Sequence, residues 1–96
     1  MVLRSINAET TGPILVVEDE ILIRLNLVAL LEDAGLDVFD AGDADEALDM
    51  IGHHPEVRIL LTDVQIPGSM DGIDLAHYVR EIRPHMGLML MSGSAW

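Results

Sequence analysis

Leu60-Leu61-Thr62-Asp63-Val64-Gln65-Ile66-Pro67-Gly68-Ser69-Met70-Asp71-Gly72 joins an apolar run to a turn-rich segment, with an aspartate at the junction. The run begins upstream, at Val57-Arg58-Ile59, and has the length and β-branched character of a short strand. Pro67 and Gly68 then impose a turn. Asp63 therefore falls where a strand ends and a loop begins. In an open α/β sheet, ligands bind beyond the carboxyl ends of the strands. An aspartate at that place is a loop cap or a site residue, and the segments on either side decide which.

Upstream, Pro13-Ile14-Leu15-Val16-Val17 is a continuous apolar run, as expected of a central parallel strand buried on both faces. It stops at Glu18-Asp19-Glu20. Residues 21–34 repeat at helical spacing and are apolar nearly all round. One stripe is Ile21, Leu25 and Val28, and another is Ile23, Leu27, Leu30 and Ala34. Such a helix needs cover on more than one side. Gly35 is placed to end it. Leu36 to Ala41 alternates like an edge strand. Asp43 followed by Glu46 is close to a capping box, with Ala44, Ala47, Leu48 and Ile51 on one face of a short helix.

Downstream, Asp71 is placed to cap a helix in which Ile73, Ala76, Val79 and Ile82 are expected to face inward. Pro84 ends it, and Leu88-Met89-Leu90-Met91 reads as a fourth strand, followed by Ser92. The order β-α-β-α-β-α-β with short connections predicts a doubly wound parallel sheet with right-handed crossovers. A fifth β-α unit, which would cover the last strand and the first helix, is missing. Residues 1–12 lack the apolar core of a signal peptide and are expected to be a disordered lead-in. Residues 13–96 form one domain, read as C-terminally incomplete.

Composition narrows the function. Seventeen acidic residues face five basic ones, all arginine, for a formal charge of −12 with no lysine and no cysteine. That balance opposes binding to nucleic acid, which depends on neutralising phosphates, and to anionic membrane. No apolar run is long enough to span a bilayer. The absence of cysteine removes disulfides and thiol chemistry, and a cytoplasmic location fits. His53, His54, His77 and His85 lack the spacing of zinc ligands. Met86, Met89 and Met91 are assigned to packing.

If the first strand lies beside the third, with the second outside it, the order reverses between them. Glu18, Asp19 and Asp63 then converge on one crevice. Carboxylates that close raise one another's pKa, and a hard divalent cation relieves the repulsion. Mg²⁺ typically takes one or two carboxylates, several waters and a phosphate oxygen. Ser92 brings a hydroxyl to the same rim.

Val16-Val17-Glu18-Asp19-Glu20, Thr62-Asp63, Ile66-Pro67, Met70-Asp71-Gly72 and Met91-Ser92-Gly93 together resemble the receiver domain of two-component response regulators. The resemblance runs from about Pro13 to Ser92 and lies in the joint spacing of these motifs. The loop is one residue longer than the commonest receiver version, as in a subset of short single-domain regulators. The resemblance implies a flavodoxin-like sheet with strand order 2-1-3-4 and three helices. It makes Asp63 the phosphoacceptor, served by a histidine kinase or phosphotransfer protein. It makes Asp19, Asp63 and the backbone carbonyl of Gln65 ligands of Mg²⁺. Glu18 stands where the family more often has Asp, binding the metal directly or through water. Ser92 takes the place of the switch hydroxyl.

Two departures stand out. The family carries a lysine after its fifth strand, and an aromatic switch residue on that strand; both are absent. The leading expectation is a Mg²⁺-dependent phosphoacceptor module without a DNA-binding output, and not an enzyme. A second is a phosphorylation-impaired interaction or dimerisation module, in which the open edge of the fourth strand and the first helix bring homo-oligomers together. A third, an aspartyl-nucleophile phosphohydrolase, suits the chain poorly: such enzymes want a second acid two residues on, and position 65 is Gln.

Overall fold

In the computed structural model, which describes residues 2–5 and 12–92, all four strands of the anticipated sheet form. They are β2 (Ile14–Val17), β3 (Val38–Ala41), β4 (Ile59–Asp63) and β5 (Gly87–Ser92). Helices α1 (Ile21–Asp33), α2 (Ala44–His53) and α3 (Gly72–Ile82) lie between them. The four strands run parallel in the spatial order β3-β2-β4-β5. Counted along these four, that is 2-1-3-4, the flavodoxin-like arrangement. Ile14 to Val17 are all buried, because the sheet is covered on both faces. Leu15 and Val17 pack with Leu60, Leu75 and Val79 on the side of α2 and α3. Ile14 and Val16 pack with Leu27, Leu61 and Met91 on the side of α1.

A fifth strand departs from expectation. Val2–Ser5, placed in the lead-in, form β1, which pairs antiparallel with β5 in the register Val2↔Ser92 to Ser5↔Met89. The physical reason is the one that made the β5 edge a concern. A row of unpaired backbone N–H and C=O groups accepts another strand, and this chain supplies one from its own N-terminal segment. The edge of β5 is therefore not open, and edge pairing through β5 loses its basis as a route to oligomers.

Helix α1 also departs. Neither expected stripe is the buried one. The inward face is Arg24, Leu27, Val28 and Leu31, of which only Leu27 is fully buried. Ile21, Leu22, Leu25 and Leu30 are exposed, Leu22 by 71% and Leu30 by 67%. Among the described residues a single helix covers this face of the sheet, so most of its apolar circumference is exposed. In α3 the buried residues are Gly72, Leu75, Ala76 and Val79, while Ile73 and Ile82, expected inside, are 43% and 45% exposed. The 72/75/76/79 stripe points at the sheet, and Ile73 lies off it, beside Leu88 and Leu90.

Local signals set the ends of the helices. Gly35, with φ of +90°, follows α1 in the left-handed conformation that closes helices. Asp43 Oδ1 accepts the Glu46 N–H at 2.8 Å and starts α2. Asp71 and Asp74 form a reciprocal capping box at the start of α3. Gly72 follows at once and approaches β4 closely. Its N–H donates to the Val64 carbonyl at 2.8 Å, and Val64 N–H donates to the Met91 carbonyl at 3.0 Å. The peptide after Asp63 is thus clamped between α3 and β5.

A Cβ at Gly72 would collide with the Asp63 carbonyl and come within 2.9 Å of Val64 Cα. Backbone atoms cannot yield as a flexible side chain would. Gly72→Ala is expected to lower the unfolding free energy by about 1–3 kcal/mol or more. Gly52, inside α2, has nothing within 4 Å of the same position, so Gly52→Ala is expected to raise it by up to about 0.5–1 kcal/mol. Urea unfolding of the two variants checks both signs.

Candidate phosphoacceptor site

The carboxyl ends of β2, β4 and β5 meet in one cleft of about 560 Å³, lined by Glu18, Asp19, Glu20, Ile23, Asp63 and the Val64–Ile66 segment, with Ser92 on its rim. Strand register explains the convergence. Val17 lies opposite Thr62 and Asp63 opposite Met91, so Glu18 and Asp63 emerge at the same level and Ser92 one residue beyond it. The cleft sits where the strand order reverses, between β2 and β4. All five sequence-predicted site residues line this one cleft.

Each group is held differently. Asp63 is half-buried at the last position of β4, and its Oδ1 accepts the Gln65 backbone N–H at 3.2 Å. Thr62, fully buried, donates its hydroxyl to the Asp63 carbonyl at 2.9 Å. Asp19 is exposed. Glu18 is only 3% exposed, and its Oε2 accepts the Glu20 N–H at 3.0 Å. Its backbone N–H donates to the Ala41 carbonyl at 3.0 Å, fixing it to the end of β3.

Burial pushes the Glu18 carboxyl up from an ordinary 4.5 to about 7. Hydrogen bonding and charge from Asp63, together with a hydrogen bond to Asp19, act in the same direction, against the Glu20 N–H. The expected crowding of carboxylates is therefore present, and Glu18 bears most of it.

Sequence reasoning did not find Arg24. Its Nη1 donates to the Glu18 carbonyl at 3.0 Å, and its Nε lies 3.1 Å from Asp40 Oδ2. In sequence it is only a polar interruption in a run that is otherwise apolar nearly all round. The available signal was that it is the only basic residue of α1, one turn into the helix that follows the acidic triplet.

A family model described as the response regulator receiver domain matches residues 14–95. The chain belongs to that family. It is 34% identical over 83 residues to the aerobic respiration control protein ArcA of Escherichia coli K12, covering 86% of this chain and 34% of ArcA. It is 38% identical over 82 residues to the response regulator receiver protein CpdR of Brucella abortus, covering 85% of this chain and 67% of CpdR. The chain thus spans about a third of the ArcA relative's length. Among solved structures, it superposes on the response regulator TrrA of Thermotoga maritima, in complex with Mg(2+)-BeF, with a TM-score of 0.81. That match is 26% identical and covers 88% of this chain and 72% of the other. Receiver domains are phosphoacceptor signalling domains that bind Mg²⁺ and work with histidine kinases or phosphotransfer proteins. No helix among the described residues is long and apolar enough to cross a membrane.

The donor chemistry of the receiver cleft fits Mg²⁺: hard carboxylate oxygens from Glu18, Asp19 and Asp63 in one crowded, acidic space. Among the described residues no three His, Cys, Asp or Glu side chains close into a ready ligand cage. Mg²⁺ does not require one, since it keeps several waters and uses one or two carboxylates.

The raised Glu18 pKa has a definite pH signature. Between pH 4.5 and about 7, the folded chain retains a proton that the unfolded chain has released. This group's contribution to stability is full below the unfolded value and is lost as pH rises through about 7. Metal-free protein should lose up to roughly 3 kcal/mol from this source across that window. Glu18→Gln should flatten the slope, which urea midpoints measured at successive pH values would show. A divalent cation should stabilise more on the alkaline side, where Glu18 is ionised.

Proposed function

We propose that this chain is a phosphoryl-accepting signalling module, with Asp63 as acceptor and a histidine kinase or phosphotransfer protein as donor. The observation that carries the reading is the cleft itself, in which Asp63 ends β4 beside the Glu18 carboxyl and within the same walls as Asp19 and Ser92. An Asp63 carboxylate oxygen attacks phosphorus, a P–O bond forms, and the bond to the donor's imidazole nitrogen breaks. The imidazole leaves as the neutral base after taking up a proton.

Gln65 N–H holds one oxygen of Asp63 and so orients the carboxylate. The clamp on Val64 keeps the peptide behind it from retreating. Glu18, Asp19, Asp63 and the carbonyl of Gln65 are the groups that would hold Mg²⁺, which when bound supplies charge neutralisation for the transferring phosphoryl group. Ser92, on the rim of the cleft, is a protein donor assigned to the phosphoryl oxygens. A charge of −12 directs the output to protein partners rather than to nucleic acid, in a cytoplasmic setting.

A second reading, an interaction module in which phosphorylation is weak, draws on the exposed apolar side of α1. Self-association under this reading runs through α1, since β1 covers β5.

Acetyl phosphate with Mg²⁺, followed by intact-mass spectrometry, separates the two. The expected result is one phosphoryl group on the wild type, sensitive to hydroxylamine, and none on Asp63→Asn. An unmodified wild type that self-associates would favour the interaction module. A phosphate retained on Asp63→Asn would refute the acceptor assignment.

A further inference from the structure

Beyond the acceptor and its metal ligands, we infer that Arg24 is the positioning residue that sets the Glu18–Glu20 peptide segment for cation binding. This rests on the acceptor reading above. The evidence is where the guanidinium lies and what it holds. Arg24 occupies the first turn of the inward stripe of α1, one helical turn before Leu27, with its side chain only 18% exposed. A cation there must be paired.

It bridges two segments, the end of β2 and the end of β3. Nη1 donates to the Glu18 carbonyl at 3.0 Å. Nε forms an ion pair with Asp40 Oδ2 at 3.1 Å, out of line for a hydrogen bond and without any other partner among the described residues. Nη1 also fills the space a side chain at position 42 would take, 2.7 Å from a Cβ built on Gly42. Gly42 is thus the slot for the guanidinium.

The consequence falls on Glu18. Its N–H is held by the Ala41 carbonyl, its C=O by Arg24 and its carboxylate by the Glu20 N–H. Arg24 itself does not line the cleft. It acts through the Glu18 peptide, which makes it a positioning residue and not a ligand. An ordinary helix-to-sheet ion pair would join α1 to β3 alone; this one grips the peptide that carries the site.

The test attacks the guanidinium from both sides in the full chain. Arg24→Gln removes it, and Gly42→Ala displaces it with every charge kept. Calorimetric Mg²⁺ titration should show each variant binding about tenfold more weakly, as for loss of groups that orient metal ligands. In metal-free protein, amide hydrogen exchange at Glu18 and Glu20, whose N–H groups are bonded to the Ala41 carbonyl and to Glu18 Oε2, should speed up while the Asp74 amide in the α3 cap stays protected. If Arg24→Gln does not fold, Gly42→Ala decides alone. Folded variants with wild-type Mg²⁺ affinity and unchanged exchange would overturn the inference. A wild type that neither binds Mg²⁺ nor accepts phosphate would instead bring down the acceptor reading, while the exchange result still judges Arg24.

Discussion

A carboxyl group out of water beside two others must hold a proton or share a cation, and Glu18 is in that position. Burial and the neighbouring Asp63 and Asp19 hold its pKa near 7. Such crowding is costly in an apolar interior and is tolerated at sites. Much of the surrounding structure exists to sustain it. β2 and β4 run parallel in a register that delivers the acids side by side. The Glu20 and Gln65 amides each take one carboxylate oxygen. Arg24 secures the peptide behind. Without the parallel register the acids would separate and the pKa would relax toward its ordinary value.

The same site depends on a steric condition at Gly72. The capping box places the start of α3 directly on the backbone of Asp63 and Val64, and only a residue without a Cβ fits there. The peptide after Asp63 is therefore gripped by main chain from α3 and from β5. Rigid backbone support of this kind holds a reactive side chain more closely than loop contacts do.

What was legible in the sequence follows from which signals are local. The buried run Ile14–Val17, the strand ending in Asp63, and the Asp43 and Asp71 caps each carry their information within a few residues, and each formed as expected. The meeting of Glu18, Asp19, Asp63 and Ser92 was legible once the strand order was assumed. The phase of α1 was not. A helix apolar nearly all round has almost no periodicity to read, and its inward stripe includes the residue that looks least suited, Arg24, because that side chain finds Glu18 and Asp40. The pairing of Val2–Ser5 was equally hidden. Four residues contain no signal of their own partner, and the demand for them came from β5, at the far end of the chain. The packing role of Gly72 was not legible either, since close approach of two backbones leaves no mark on composition.

The bare side of α1 also bears on colloidal behaviour. Ile21, Leu22, Leu25 and Leu30 offer one copy of the chain an adhesive surface toward another. The formal charge of −12 opposes that approach, and the balance between the two depends on the medium. At low ionic strength the repulsion reaches across the width of a small protein; at physiological salt it is screened within about 8 Å. Long-range charge thus disperses copies of the chain and short-range apolar contact would hold them together, so any self-association through α1 should strengthen as salt rises.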